Sequence, residues 1–407
     1  MPALADTLLV FGTQFEFVLF AITLLSVAVF HRRTLAAALS GLLAITLYKV
    51  FFADFHGTAG LAGLAKHLQD EAVIVANLAL VLTGFAILSR HFEQSKLPDL
   101  APDILPRGWM GGLVLLALVF VFSGVLDNIA AALIGATVAQ HVYKGKVSLG
   151  FLAAIVAASN AGGAGSVVGD TTTTMMWVAG KNPWDVLHAY IGAATCIAIF
   201  AIPAALAQHK HHAISVHPPS TVHADYGRIA IVAFILLVTV GANISVNLLA
   251  PHLTETFPVI GIAIWLAIVI ASAFRQTDWK PLRESAKGTL FLVSLVLCAS
   301  LMPVGALPSP SWESTFALGF LSSVFDNIPL TALALEQGQY DWGLLAYAVG
   351  VGGSLVWFGS SAGVAVSNIF PQAKSVGAWL RASWWLPVAY VAGFLVMLGV
   401  TGWNPLP

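Results

Sequence analysis

The sequence predicts an all-α polytopic membrane protein. Of its 407 residues, 58% are hydrophobic and 9% are charged, whereas about a quarter of the residues of an ordinary soluble domain carry charge. The apolar residues form runs long enough to cross a bilayer, whose hydrocarbon core needs about 20 residues of helix. Pairs of these runs also share polar motifs. A soluble globule is therefore excluded, and the net charge of −1 gives no basis for a nucleic-acid partner.

Apolar runs divide the whole chain, and several carry Gly, Asn or Asp in the middle. They lie near residues 8–30, 34–52, 71–89, 109–143, 147–180, 184–207, 226–250, 256–274, 288–305, 311–338, 342–370 and 377–402. We interpret 109–143 and 311–338 as re-entrant helical hairpins, because each has a polar pair at its centre. The runs 147–180 and 342–370 are predicted to be broken helices, since glycines and polar residues interrupt them.

The distribution of Lys and Arg predicts the orientation, because cytoplasmic loops are enriched in both. If each hairpin returns to the face that it enters from, most of these residues fall on one side, and only Lys66 and Lys181 fall on the other. We therefore expect a cell inner membrane protein with both termini on the periplasmic side. The His-rich segment 208–225 is then a cytoplasmic linker, either a plain solvated loop or a metal-binding or pH-sensing segment.

The two halves of the sequence repeat each other. The segment "FSGVLDNIAAALIGATVAQ" at 122–140 matches "LSSVFDNIPLTALALEQGQ" at 321–339, and "GGAGSVVGDTTT" at 162–173 matches "GGSLVWFGSSAG" at 352–363. Each half, 8–207 and 226–402, has five transmembrane helices, including the broken helix, plus a re-entrant hairpin. Because five is odd, the second half is inserted upside down. The sequence predicts two inverted-topology repeats, which are typical of secondary transporters.

The stretch "SNAGGAGSVVGDTTTTMMW" at 159–177 is the strongest candidate for a ligand site. Glycines allow a helix to unwind and bring its backbone close to a ligand, and those proposed to do so are Gly162, Gly163, Gly165 and Gly169. Asp170 begins a new half-helix, and Asn160, Thr173 and Thr174 add neutral oxygen atoms. Such oxygens suit a hard cation such as Na⁺ or Li⁺. The alternative is that the glycines serve helix packing and Asp170 caps a helix.

Asp127–Asn128 and Asp326–Asn327 each lie midway through an apolar run. An Asp or Asn residue suits the tip between two half-helices, because its side chain can cap the second one. Two plain helix caps without a ligand are the alternative. An ionisable side chain inside the membrane is costly, however, and usually marks an ion or substrate pathway. We therefore predict that the two tips line a shared site.

Together, the DN pairs, "SNAGGAGSVVGDTTTTMMW" and "GGSLVWFGSSAGV" resemble the NhaD-type sodium/proton antiporters. That family belongs to the ion transporter superfamily, which also holds arsenite pump subunits and sodium/dicarboxylate carriers. The resemblance covers most of the chain and implies broken helices at Asn160–Thr173 and Gly353–Ser361. The functional positions that it implies are Asp127, Asn128, Asn160, Asp170, Thr172, Thr173, Ser322, Asn327, Ser360 and Ser361. The chain departs from the family pattern at Ala130, Ala131 and Ala132, where the antiporters tend to carry threonines.

Our site prediction adds Asp326 to that set, together with the glycines Gly353 and Gly359 of the second break, and places Na⁺ at Asp170 and Asn128. The function implied by the resemblance is exchange of Na⁺, or Li⁺, for H⁺ by alternating access, with these ions as the cargo and no cofactor. The lipid bilayer and small ions are the expected partners, and superfamily resemblance also implies a homodimer. The alternative is a Na⁺- or H⁺-coupled transporter of an organic anion such as citrate, or an arsenite permease.

The charge of the predicted site separates these functions. Asp127, Asp170 and Asp326 would repel a dianion unless bound Na⁺ neutralised them, so the sequence favours a cation or a neutral substrate. An enzyme is not expected. The chain lacks the G-x-G-D pattern of an intramembrane aspartyl protease, since Val167 stands two residues before Gly169, and it has neither H-E-x-x-H nor G-x-S-G.

Overall fold

The structure is a computed structural model of the 407-residue chain, and it describes residues 9–10, 13–30, 33–55, 57–214, 223–250 and 253–406. Nearly all of its regular structure is helical. The strands are two short antiparallel pairs, β1 (Leu9–Val10) with β2 (Thr13–Gln14) and β3 (Asp54–Phe55) with β4 (Thr58–Ala59). The helices are α1 (Phe15–Val29), α2 (Thr34–Phe52), α3 (Gly60–Gln94), α4 (Ala101–Ile104), α5 (Trp109–Ser123), α6 (Asn128–Val142), α7 (Leu149–Ala164), α8 (Thr171–Val178), α9 (Pro183–Leu187), α10 (Ala189–His211), α11 (Tyr226–Leu249), α12 (Leu253–Thr256), α13 (Val259–Ser272), α14 (Lys280–Ser300), α15 (Trp312–Ser322), α16 (Asn327–Gln337), α17 (Trp342–Gly352), α18 (Ser361–Ile369), α19 (Val376–Ala382) and α20 (Trp385–Thr401).

Several helices have the length and composition of membrane spans. Within the described residues, four meet both criteria: Thr34–Phe52, Gly60–Gln94, Pro183–His211 and Tyr226–Val246. A bent pair, Val376–Ala382 with Trp385–Thr401, meets them jointly. Other apolar helices are 10–17 residues long, shorter than the roughly 20 residues that cross a hydrocarbon core. The chain is therefore an all-α, multi-pass membrane protein.

One compact unit is formed within Met1–Ile87, Phe234–Ser309 and Thr331–Gly338. In it, α2 contacts both α1 and α14. Helices α3 and α13 are joined by polar contacts: the Asn77 side chain accepts a hydrogen bond from the Gly261 backbone N–H at 2.7 Å, and the Trp265 indole donates to the Leu80 carbonyl at 2.9 Å. Such contacts fix neighbouring helices where apolar surface alone provides little specificity.

The other compact unit comprises Leu88–Ala233, Pro310–Leu330 and Gln339–Pro407. Helices α7 and α17 form its centre, because nearly every residue of α7 and every residue of α17 is buried. Both helices are largely apolar, as is typical of a helix surrounded by other helices. Helices α5, α6 and α10 pack against α7, while α15 and α20 pack against α17. All the predicted site residues lie in this unit.

The centres of the predicted hairpins and the predicted breaks coincide with helix boundaries, while re-entry into the membrane stays a prediction. Helices α5 and α6 meet at a turn over 124–127, and α15 and α16 meet at a turn over 323–326. Helix α7 is separated from α8 by residues 165–170, and α17 from α18 by residues 353–360. Each polar motif of the sequence therefore lies where one helix ends and another begins.

Glycines allow these segments to approach one another closely. A Cβ atom at Gly162 would collide with the Phe120 carbonyl, and one at Gly169 would collide with the Ser123 carbonyl. Gly162 and Gly163 remain helical, since α7 continues to Ala164. Our expectation that these two unwind is wrong: their missing side chains allow close approach to the Phe120 and Gly169 carbonyls. The break begins at Gly165 and includes Gly169, the other two glycines expected to unwind.

Some predicted boundaries also differ from the structure. The run 71–89 lies inside the longer α3, and the run 377–402 is bent by 63° between α19 and α20. The predicted linker 208–225 begins inside α10, which continues to His211 because Gln208 is buried and its side chain bonds the backbone of Lys146 and Ser148. Residue 8, Arg32 and the linker segment 215–222 lie outside the described residues.

Replacing Gly169 with alanine is expected to destabilise the second unit. The added methyl group would meet the Ser123 backbone carbonyl, which cannot rotate away, and overpacking of this kind costs about 1–3 kcal/mol. The measurement is the apparent melting temperature of the detergent-solubilised protein, which should fall. Gly288→Ala is the matched control, because a Cβ there meets nothing within 4 Å and alanine is the better helix former. An unchanged melting temperature for Gly169→Ala would contradict the close packing.

Candidate functional site

The two carboxylate oxygens of Asp170 have different hydrogen-bond partners. One oxygen, Oδ1, caps α8 by accepting hydrogen bonds from the Thr172 backbone N–H at 2.9 Å and the Thr172 hydroxyl at 3.0 Å. The other, Oδ2, accepts a hydrogen bond from the Asn128 amide at 3.2 Å. Asp170 is 1% exposed. The capping interpretation is therefore correct for one oxygen, while the second faces the start of α6.

Asn160 links both breaks. Its side-chain oxygen accepts a hydrogen bond from the Asn128 amide at 3.3 Å, and its own amide donates to Ser354 Oγ at 2.9 Å and Ser360 Oγ at 3.0 Å. The residue is completely buried. It lies on α7, one turn before the break, so a single side chain connects α6 with both ends of the break between α17 and α18.

The second DN pair lies beside the second break. The Asp326 carboxylate accepts a hydrogen bond from the Ile328 backbone N–H at 3.2 Å and a long one from the Ser361 hydroxyl at 3.5 Å. Ser360 caps α18 by accepting from the Gly363 N–H at 3.3 Å. Asn327 is buried at the first position of α16. The predicted tip and the predicted break are thus in contact.

Carboxyl groups are concentrated around Asp170. Both Asp127 and Asp326 are half-buried and interact electrostatically with Asp170. Like charges at short range repel strongly where the surroundings are apolar. Protons or cations bound among these carboxylates would relieve that repulsion, whereas an anion would increase it.

The run of four threonines supports the backbone of the first break. The Thr173 hydroxyl donates to the carbonyls of Ser166 and Asp170, at 2.5 and 2.8 Å. The Thr174 hydroxyl donates to the carbonyls of Val167 and Asp170, both at 2.9 Å. Buried backbone carbonyls need partners, and these hydroxyls provide them. The ligand role expected for Thr173 and Thr174 stays a prediction.

Ser322 and the remaining glycines hold helices together rather than joining the network of Asp170. The Ser322 hydroxyl donates to the Val349 carbonyl at 2.6 Å. A Cβ at Gly163, Gly353 or Gly359 would come within about 3 Å of neighbouring backbone carbonyls, tighter than ordinary van der Waals contact. The structure therefore joins Asn128, Asn160, Asp170, Thr172 and Ser360 directly, with Asp127, Asp326, Asn327 and Ser361 around them.

Two residues of the network were missed by sequence reasoning. Ser354 binds Asn160, and Gly350 faces Asp170, since a Cβ at that glycine would lie 3.7 Å from Asp170 Oδ2. Comparison of the repeats pairs Ser354 with Ala164 and Gly350 with Asn160. Because neither pair is chemically alike, the repeat gave no signal for them.

The arrangement can bind a small cation or a proton. Its buried groups are carboxylate, amide and hydroxyl oxygens, the ligands that hard cations prefer. Helices α6, α8, α16 and α18 all begin at these residues, and α5, α7, α15 and α17 end beside them. Helix ends carry opposite partial charges, so one small volume contains both N–H and C=O groups for a ligand.

No protein-family model matches the chain, but several curated proteins are similar to it. The Na(+)/H(+) antiporter NhaD of Alkalimonas amylolytica is 29% identical over 338 residues, covering 70% of this chain and 67% of that protein. The protein of the same name in Halomonas elongata is 26% identical, covering 84% and 79%. Sodium/proton antiporter 2 of Arabidopsis thaliana is 25% identical, covering 82% and 87%. These similarities confirm the resemblance carried by the motifs: the chain is a relative of the NhaD-type sodium/proton antiporters.

Proposed function

We propose that the protein exchanges Na⁺, or Li⁺, for H⁺ across the membrane by alternating access. The observation that carries the proposal is the buried network in which Asn128 bonds both Asn160 and Asp170. It offers oxygen ligands to a cation and a carboxylate to a proton, and the similar curated proteins are named as sodium/proton antiporters.

Asp170 is the group that exchanges one ion for the other. Its Oδ2 faces Asn128 and the Gly350 backbone, so a bound Na⁺ there would be held by the carboxylate and neighbouring oxygens. A proton bound to the same carboxylate removes its charge and with it the affinity for Na⁺. Because Na⁺ and H⁺ compete for the same carboxylate, each transport step moves either one ion or the other across the membrane. Asp127 and Asp326 favour occupancy by adding negative charge nearby.

The inverted repeat is part of this proposal, and matching contacts in the two halves support it. Ser123 donates to the Ser159 carbonyl, as Ser322 donates to that of Val349. Gly162 faces the Phe120 carbonyl, as Gly352 faces that of Gly319. In the alignment of the two halves, each of these contacts has its counterpart at the matched positions. Two hairpins entering from opposite faces, each against a broken helix, would place the site at mid-depth.

The two halves contribute different chemistry. Asp170 is matched by Ser360, and Asn160 by Gly350. The carboxylate at the first break therefore has a neutral hydroxyl as its counterpart at the second break. We propose that the first half provides the titrating group and that the second half provides neutral ligands and the space in which Asp170 lies.

The membrane placement follows from the same proposal. The basic face of the chain is assigned to the cytoplasm and both termini to the periplasm, in an inner membrane, with lipid and small ions as partners and a homodimer as the assembly. Transport of an organic anion or of arsenite is not favoured, because the similar curated proteins are named as sodium/proton antiporters. Three aspartates near one another also oppose an organic anion.

Asp170→Asn is expected to abolish Na⁺/H⁺ exchange, because an amide cannot bind a proton or neutralise a cation. The measurement is the collapse of a dye-reported pH gradient in everted vesicles on adding Na⁺ or Li⁺, with K⁺ and citrate as further additions. Asp70→Asn, an exposed carboxylate in the other unit, is the matched control and should behave like wild type. Full exchange by Asp170→Asn, or a response of wild type only to citrate, would refute the proposal.

Asn160→Ala is expected to raise the Na⁺ concentration for half-maximal exchange at least ten-fold. The change leaves Asn128, Ser354 and Ser360 without their shared partner, and losing a buried hydrogen-bond partner costs about 1–3 kcal/mol. Vesicle assays over a Na⁺ series give the value, and size-exclusion chromatography checks the fold. Ser367→Ala serves as control, since that buried hydroxyl bonds only its own helix, at the Val364 carbonyl. An unchanged Na⁺ requirement for Asn160→Ala would show that the network does not bind the ion.

A further inference from the structure

A cavity of about 470 Å³ lies along one side of α6. Four of its lining residues on that helix are Ala130, Ile134, Thr137 and His141. Residues three and four apart lie on the same face of a helix, so these four form a single stripe. At 1.5 Å per residue the stripe is about 16 Å long. Its inner end is three residues from Asp127, and its outer end is at the last turn of α6.

Exposure along the stripe increases from the inner to the outer end. Ala130 and Ile134 are half-buried, whereas Thr137 and His141 are exposed. The neighbouring Ala136, on another face of the same helix, is completely buried. The stripe is therefore more enclosed near the turn that carries the DN pair and more open toward the C-terminus of α6.

Polar side chains among the lining residues can interact with cations. Glu93 and Asp99 line the cavity, and Glu93 is paired with Arg90 at 3.1 Å. The C-terminus of α6 lies at the outer end of the stripe, and the last carbonyls of a helix carry a partial negative charge. Carboxylates along a cleft with walls of low polarity raise the local concentration of cations.

We propose that this cavity is the water-filled route by which cations reach the turn between α5 and α6 from the end of the hairpin that carries Lys144 and Lys146. The inference rests on the proposed function for the identity of the ion. The cavity has room for on the order of ten water molecules at roughly 30 Å³ each. Thr137 provides a hydroxyl partway along the stripe. The small side chain of Ala130 leaves space at the inner end of the stripe.

Cysteine labelling tests the route, because both native cysteines, Cys196 and Cys298, are completely buried. Single cysteines are introduced at Ala130, Ile134 and Thr137 and treated in vesicles with a membrane-impermeant, positively charged methanethiosulfonate reagent. All three are expected to react, in one vesicle orientation only. Modification of Thr137→Cys should reduce Na⁺/H⁺ exchange at least five-fold. Ala136→Cys and the wild type are the controls, expected to remain unlabelled and active.

Other results would overturn the route. Reaction of the three cysteines only with a membrane-permeant maleimide would mean that the cavity is filled by lipid or closed to water. Labelling of Thr137→Cys without labelling of Ala130→Cys would mean that water stops short of the turn, and complete labelling of Thr137→Cys with unchanged exchange would mean that ions pass elsewhere. Labelling is read on the protein itself, so absence of exchange in unlabelled protein would contradict the proposed function and not the water-filled cavity.

Discussion

A helix that breaks inside a membrane protein leaves backbone N–H and C=O groups that must find partners, at a cost of several kcal/mol for each one that does not. This constraint shapes the centre of the second unit. The hydroxyls of Thr173 and Thr174 satisfy carbonyls of the first break, and Asp170 and Ser360 cap the half-helices that follow the two breaks. Because these side chains are already bonded, the breaks are fixed in position, and the remaining oxygen of Asp170 is directed to one place.

In the proposed mechanism, that fixed geometry would let a single carboxylate exchange two ions. Asn128 bonds Asp170 and Asn160 together, so the carboxylate oxygen, the amide and the neighbouring hydroxyls are preorganised around one volume. Preorganisation lowers the cost of binding, because few groups must be ordered when the ion arrives. A site of neutral ligands alone would bind a cation without responding to protons, and a lone carboxylate would hold neither ion in a defined position.

The difference between the two halves has a physical consequence. Glycine contacts recur in both, at Gly162 and Gly352, because α7 approaches α5 closely and α17 approaches α15 closely. The acidic residue at a break belongs to the first half: Asp170 lies opposite Gly350, which has no side chain. A second carboxylate at Ser360 would add repulsion in a confined apolar volume. In the proposed mechanism one titrating centre therefore lies at the breaks, and the cavity along α6 would connect it to water.

The sequence by itself determined the fold class, the positions at which helices end and begin around the polar motifs, and most of the polar residues, because hydropathy, glycine spacing and Asp or Asn caps act locally along the chain. Asp127–Asn128, Asp326–Asn327 and Asp170 could be found in this way, since each interrupts an apolar run. The partners of each side chain were decided only by the tertiary structure. Ser354 and Gly350 join the network because α7 and α17 lie side by side, while Gly162 and Ser322 are used for packing; no local pattern distinguishes a polar or small residue that faces a ligand from one that faces another helix.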